Sequence, residues 1–281
     1  YDITTTSAVF DWDAGFDETT WNLKYYEVGV GDTVFANSIT KPYPCTGLTS
    51  NTNYAFKVQA DCGSDVSAWS VAKTFKTLCE TYPLPFAEDF TGLATGTLPA
   101  CWQVMGLGLT NWSVAASANA GGTSPEMRLY WNPSFTGTTR LATPELATGG
   151  ASDLMVSFNQ KLDYFAAFEG AYIAVEYSVD LGATWEVIYK NFFNATFGPR
   201  LEEFYFSVPE NTDEFMLAFT FYGYVYNING WYIDNIVIDV APTCLKPVDL
   251  TATDITETSA LLEWTAGGTE TTWNIKYGEP G

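Results

Sequence analysis

Residues 2–29 read DITTTSAVFDWDAGFDETTWNLKYYEVG, and residues 254–281 read DITETSALLEWTAGGTETTWNIKYGEPG. In the first stretch Ala8, Phe10 and Trp12 alternate with Val9 and Asp11, and Trp21, Leu23 and Tyr25 alternate in the same way. A period of two marks half-buried strands, and the Gly- and Asp-containing run between them is a turn. The copies keep one register: Asp2 answers Asp254, Trp12 answers Trp264, Trp21 answers Trp273 and Tyr25 answers Tyr277, a constant offset of 252 positions with about two-thirds of the residues identical. Self-similarity at a long fixed period marks an array of modules. The chain is therefore expected to span one period and the start of the next, as a window on a longer tandem array.

Composition narrows the class. Twelve Lys and Arg stand against 33 Asp and Glu, a net charge of −21. So acidic a surface repels phosphate backbones and anionic membranes, which argues against nucleic acid as a partner and leaves divalent cations as plausible ones. The absence of His removes the commonest general base, the commonest transition-metal ligand and the usual partner of a Ser or Cys nucleophile. No apolar run approaches the roughly 20 residues that span a bilayer as a helix, and no signal peptide is evident in the sequence. Abundant Thr, Tyr, Trp, Phe, Asn and Gly with almost no helical periodicity predict an all-β protein that does not insert into membranes through this segment.

A third strand is predicted through Tyr54, Phe56, Val58 and Ala60, preceded by GLTSNTNY at residues 47–54. This octapeptide, with Trp12 and the SAWS at residues 67–70 before a last strand ending near Thr77, resembles the fibronectin type III domain. That resemblance implies a corner in which a Leu plugs the core and a Tyr hydroxyl ties back to backbone. Residues 244–250, CLKPVDL, read as the opening strand of the second copy, so the first copy is expected to lack its own. The boundaries that follow are residues 1–78 for a fibronectin type III domain without its first strand, 79–242 for a second domain, and 243–281 for the opening strands of another fibronectin type III domain.

The middle segment has its own texture: LPFAEDFTG, LPACW, RLATPEL, DLMVSFNQKL, EFMLAFTFYGY and GWYIDNIVI. Short strands separated by turn residues predict a two-sheet sandwich. The combination of FAEDF, LPACW, LATPEL and GWYIDNIVI resembles the jelly-roll domain shared by MAM-type and cleaved-adhesin domains, in particular the anchor-associated domain that alternates with fibronectin modules in secreted Bacteroidetes surface proteins. The resemblance implies an extracellular, adhesin-like or carbohydrate-contacting role, often with bound calcium. SVDLGATW at residues 178–185 also matches the Asp-box of sialidase propellers. A single copy reads as a hairpin turn in which Asp caps backbone donors and Gly takes a positive φ.

Two carboxylates stand out. Glu88 shares strand parity with Phe86 and Phe90, and Asp234 with Tyr232 and Ile236, so both are expected to point inward, where an unpaired carboxylate is costly. First and last strands of a jelly roll run side by side, which would bring Glu88 and Asp234 to one Ca²⁺ in an oxygen cage. The related adhesin domains bind calcium near matching positions, although the acidic loop some of them carry is replaced here by MGLGLTNW at 105–112. Pairing with Arg128, Arg140 or Arg200, or protonation of one carboxyl, is the alternative.

Aromatic density gives a second lead. Tyr130 and Trp131, then Tyr164, Phe165 and Phe168, then Tyr222, Tyr224 and Tyr226 cluster in three stretches, with Trp131, Tyr164 and Tyr224 as candidate stacking residues for a sugar ring. Aromatics at strand spacing also fit a core.

Five Cys in a chain that resembles secreted proteins suggest disulfides. Cys62, at the pole where an opening strand begins, is expected to pair with the Cys of its own module's opening strand, which would fall before Tyr1, and Cys244 with a partner beyond Gly281. Cys79 and Cys101 are then the expected pair within the chain, and Cys45 a buried thiol. Asp32-Thr33-Val34 resembles the Bacteroidetes O-glycosylation signal, with Thr33 as acceptor. Asn111 and Asn194 head formal sequons for which no use is expected.

The function expected from these features is that of a non-enzymatic segment of a tandem-repeat extracellular adhesin or stalk, its partners being neighbouring repeats and surface glycans. The second reading is a carbohydrate-binding region of a secreted glycan-degrading enzyme.

Overall fold

The computed structural model describes residues 2–278. The chain is all-β, built from β-sandwiches, and divides into two compact units, one ending at Asp239 and the other starting at Val240.

The first unit begins with β1 (Ser7–Phe10), β2 (Trp21–Glu27), β3 (Thr33–Ile39), β4 (Tyr43–Thr46), β5 (Asn53–Ala60) and β6 (Lys73–Lys76). β1 pairs with β4, while β3, β2, β5 and β6 form a four-stranded sheet in that order. The alternation seen in the sequence is the reason for both: Ala8 and Phe10 from β1, Leu23 from β2 and Tyr54 from β5 face inward and form one core with Leu48. Phe10 stacks on Phe56 at 4.3 Å between ring centroids and meets Phe75 edge-on at 5.3 Å. Tyr54 is buried and its hydroxyl accepts a hydrogen bond from the Thr49 N–H at 3.0 Å, which pins the turn ahead of β5. Tyr54→Phe keeps the ring and strands this donor, so urea denaturation should show a loss of about 1 kcal/mol.

Thirteen further strands follow: β7 (Tyr82–Pro83), β8 (Phe86–Glu88), β9 (Gln103–Gly106), β10 (Trp112–Ala115), β11 (Glu126–Tyr130), β12 (Thr136–Ala142), β13 (Leu146–Ala147), β14 (Asp153–Tyr164), β15 (Tyr172–Ser178), β16 (Glu186–Phe192), β17 (Phe197–Ser207), β18 (Glu214–Tyr224) and β19 (Ile228–Val240). One sheet runs β10-β11-β19-β14-β17 with β8 also on β19, and the other runs β16-β15-β18-β12-β9 with β13 joining β18 to β7. Phe158 of β14, Phe219 of β18 and Trp231 of β19 are fully buried between the sheets, and Phe158 meets Phe219 edge-on at 5.0 Å. Cys79 and Cys101 are bonded, with Cα atoms 5.9 Å apart, closing a loop around β7 and β8. Cys45 is a buried free thiol and Cys62 an exposed one.

The unit from Val240 onward holds β20 (Val248–Thr253) and β21 (Leu261–Thr265), paired antiparallel with Val248 opposite Thr265 and Thr251 opposite Glu263. Its details repeat those at the start of the chain. The Thr256 and Ser259 hydroxyls lie 2.8 Å apart, as those of Thr4 and Ser7 lie 2.7 Å apart. Trp264 meets Trp273 at 5.6 Å and 72°, as Trp12 meets Trp21 at 5.6 Å and 77°. Cys244 is an exposed free thiol. Residues 279–281 of the repeated stretch lie outside the described residues.

Candidate functional site

Two places on the second sandwich carry chemistry. The first is acidic. β8 lies antiparallel on β19 with Glu88 opposite Ile236, which brings the two carboxylates singled out in the sequence to neighbouring strands. Asp234 departs from the parity expectation, whereas Glu88 keeps to the side of Phe86 and of its register partner Ile236. Ile233 and Ile236 both face the core although they are three apart, because Asn235 takes a left-handed backbone (φ 51°) and breaks the alternation. Asp234, next to Ile233, therefore stands on the opposite side of the strand from that core residue. It is buried there beneath a loop: a Cβ on Gly122 would meet Asp234 Oδ2 at 1.9 Å, so only glycine fits.

Asp234 is fully buried. Its Oδ1 accepts from the Asn235 N–H at 2.8 Å, while its Oδ2 has no hydrogen-bond partner among the described residues. Burial pushes its carboxyl up to about 6, opposed by the Asn235 bond and reinforced by the negative charges of Glu126, Asp89 and Glu88. Glu88 is half-buried; its Oε1 accepts from the Phe90 N–H at 2.7 Å, and desolvation pushes its pKa up as well. Glu126 is also fully buried, accepting from the Asn119 and Ala120 N–H groups, each at 2.7 Å.

None of the arginines considered from the sequence offsets this charge. Arg140 binds Glu176 at 2.7 Å, Arg200 binds Glu202, and Arg128 lies over the Tyr130 ring at 4.4 Å. Among the described residues no three acidic side chains converge on one point. The Asp234 oxygen without a partner and the glycine that closes over it are the observations that bear on a hard, oxygen-liganded cation such as Ca²⁺.

The second place is aromatic. Trp131, just after β11, meets Tyr130 at 5.3 Å and Tyr226 edge-on at 5.2 Å; Tyr226 in turn meets Phe165 at 5.5 Å and Tyr224 at 5.8 Å. Phe165 is 54% exposed and Tyr226 41% exposed, so these rings present faces and edges to solvent. Of the three candidates named from the sequence, Trp131 and Tyr224 belong to this cluster. Tyr164 does not: its ring packs on Phe193, at the margin of the core. Phe165 takes its place, drawn in by its N–H donating to the Asn227 carbonyl at 2.8 Å.

The remaining sequence features have structural explanations. In the 178–185 turn, Asp180 accepts from the Thr184 N–H at 2.8 Å and hydroxyl at 2.6 Å, and Gly182 has φ 84°. The Thr184 hydroxyl bond, then the Thr184 N–H, hold the Asp180 carboxyl down at about 2. Thr33 is exposed at the start of β3. Cys45 sits against Tyr25, and burial pushes its thiol pKa up.

No family model matches the chain. Over 121 residues, 43% of its length, it is 31% identical to Exoglucanase B of Cellulomonas fimi, and it spans about a tenth (10%) of that relative. Similar solved structures include the K1 cleaved adhesin domain of Lys-gingipain from Porphyromonas gingivalis W83, at 13% identity and TM-score 0.40, covering 56% of this chain and 98% of that one. They also include the C-terminal family 22 carbohydrate binding module of Clostridium thermocellum Xyn10B, at 17% identity and TM-score 0.35, covering 57% of this chain and 96% of that one.

Proposed function

We propose that this chain is a non-catalytic segment of an extracellular tandem-repeat adhesin, in which the second sandwich contacts glycans through the Trp131, Tyr226, Tyr224 and Phe165 rings. The observation that carries this reading is the exposed ring cluster, in which Phe165 and Tyr226 stand open to solvent beside Trp131. The apolar face of a pyranose lies flat on such a ring, and aromatic contacts of this kind contribute binding energy with little loss of side-chain freedom. The repeat at offset 252, kept down to the paired Trp rings, favours a modular array. Neighbouring repeats would then be the chain's first partners, and strong acidity would keep the array extended and soluble. Asp234 and Glu88 would hold a structural Ca²⁺ of the weak class suited to millimolar extracellular calcium. Thr33 is the candidate O-glycan acceptor.

A glycan array probed with the whole chain tests the reading. Binding to a restricted set of oligosaccharides is expected, weakened about tenfold by Trp131→Ala and by Tyr226→Ala without a change in melting temperature. Equal binding by both variants would remove the ring cluster from consideration.

The match to part of an exoglucanase favours a second reading, a carbohydrate-binding region of a glycan-degrading enzyme. The same array addresses it: recognition confined to plant cell-wall polysaccharides would favour the enzyme-linked role over adhesion.

A further inference from the structure

We infer, on the glycan-contact reading above, that the saccharide taken by the ring cluster carries a carboxylate, as a uronic or sialic acid does, and that Arg128 receives it beside those rings. The chain has three arginines against 33 Asp and Glu. Arg140 and Arg200 each bind a glutamate, whereas Arg128 makes no ion pair among the described residues. In so acidic a chain, an arginine left without a carboxylate is a place where one from outside can be accepted.

Strand parity puts it there. On β11, Met127 and Leu129 are buried in the core, so Arg128 and Tyr130 stand on the outer face of the sheet. The guanidinium lies over the Tyr130 ring, 4.4 Å from its centroid, and Tyr130 meets Trp131 at 5.3 Å. The cation therefore adjoins the cluster, and one short saccharide can stack on Trp131 while reaching Arg128. Stacking on Tyr130 holds the guanidinium plane in place, so less freedom is lost when a ligand binds. The Arg128 Nε is buried with no hydrogen-bond partner among the described residues. Nothing beneath the face answers the charge, and the terminal nitrogens remain to form the paired hydrogen bonds that a guanidinium makes with a carboxylate.

Across the β11–β19 ladder Arg128 is opposite Tyr232, and Tyr130 is opposite Gly230. Tyr232 shares a side-chain hydrogen bond with Arg128, and burial pushes its phenol pKa up, so the hydroxyl keeps its proton at neutral pH. It can accept from the arginine and donate to an incoming carboxylate. Glycine at 230 permits this placement: a Cβ there would meet Tyr232 Cζ at 2.9 Å and its hydroxyl oxygen at 3.0 Å, pushing the ring aside.

The nearby carboxylates are engaged elsewhere. Glu126 is held by the Asn119 and Ala120 N–H groups, and Asp163 accepts from the Thr196 hydroxyl at 3.4 Å. The net charge of −21 repels a polyanion at range, yet salt screens that repulsion beyond about 8 Å, while a carboxylate seated on Arg128 is in contact. A single acidic sugar on a neutral chain is thus favoured over a run of them.

Calorimetry on the whole chain with two matched pairs of probes gives the test: sialyllactose against lactose, and glucuronosyl-xylotriose against xylotriose. In at least one pair the acidic member should bind about tenfold tighter or more, and that pair identifies the source of the carboxylate. Added salt should weaken the acidic member and leave the neutral one unmoved. Arg128→Gln should bring the acidic member down to the affinity of the neutral one, and Arg128→Lys, which keeps the charge but loses the fork, should retain only part of the preference. Trp131→Ala should weaken both members alike. The preference is a ratio, so a variant that folds poorly loses signal for both members and leaves it unchanged. Equal binding within each pair, or a preference that survives Arg128→Gln, would overturn the carboxylate and leave glycan contact in place. No binding to any of the four probes would overturn it too, and a glycan array that also stays blank would take the glycan-contact reading with it.

Discussion

Trp231→Ala should lower the stability of the second sandwich by about 3–5 kcal/mol, the usual cost of emptying a large aromatic site in a packed core. Trp231 is fully buried, with Trp112 at 5.5 Å on one side and Phe219 at 6.2 Å on the other, so it joins the two sheets. Its indole N–H donates to Gln160 Oε1 at 3.0 Å, and the Gln160 amide donates onward to Glu202 at 2.7 Å. Gln160 is itself fully buried, so losing the indole leaves its carbonyl without a donor as well as opening a cavity. Trp231→Phe should therefore cost less than alanine but more than a surface change, about 1–3 kcal/mol. Denaturant unfolding followed by tryptophan fluorescence separates the two variants, and equal stability of Trp231→Ala and the parent would mean that the sheets are held elsewhere.

The second large effect concerns Asp234. With a chelator present, the chain should be more stable at pH 5 than at pH 7. The folded-state pKa of about 6 lies above the ordinary 3.8, so the folded chain binds the proton more tightly than the unfolded chain does. The stabilising contribution of that proton is complete below about pH 4 and is lost as pH rises through about 6. A shift of this size corresponds to roughly 3 kcal/mol across the window. Glu88, also pushed up by burial, acts in the same direction. Asp234→Asn should flatten the profile and, in chelator at pH 7, melt above the parent. Calcium should reverse the order, raising the parent at pH 7 and leaving Asp234→Asn unmoved. Thermal melts over pH 4–8 with and without calcium measure both, and a parent that melts identically in calcium and chelator would dismiss the ion.

Much of the fold was legible in the sequence because strand alternation is a local signal. Ala8 and Phe10, then Trp21 and Leu23, are buried as their spacing required. The 178–185 turn was legible for the same reason, since its bonds run between residues a few positions apart. The acidic centre was only partly so. Its two strands do lie side by side, but the side on which Asp234 stands depends on one left-handed residue, Asn235, and a parity count carries straight through such a break. Glu126 went unnoticed because its burial comes from a loop folding its N–H groups onto the carboxylate. An Asn-Ala pair seven and six residues upstream gives no warning of that. Tyr164 lies apart from the exposed ring cluster, beyond a register slip in β14 between Gln160 and Leu162. Past that slip, Phe165 faces Tyr226 and Tyr164 faces Phe193.

Non-catalytic glycan contact by the second sandwich is tested most directly by incubating the whole chain with an array-selected oligosaccharide. Binding is followed by calorimetry, and the same sample is assayed for new reducing ends. Saturable binding, lost in the Trp131→Ala, Tyr226→Ala double variant, with the oligosaccharide recovered intact is the expected result. New reducing ends, or no heat of binding to any glycan that the array selects, would contradict it.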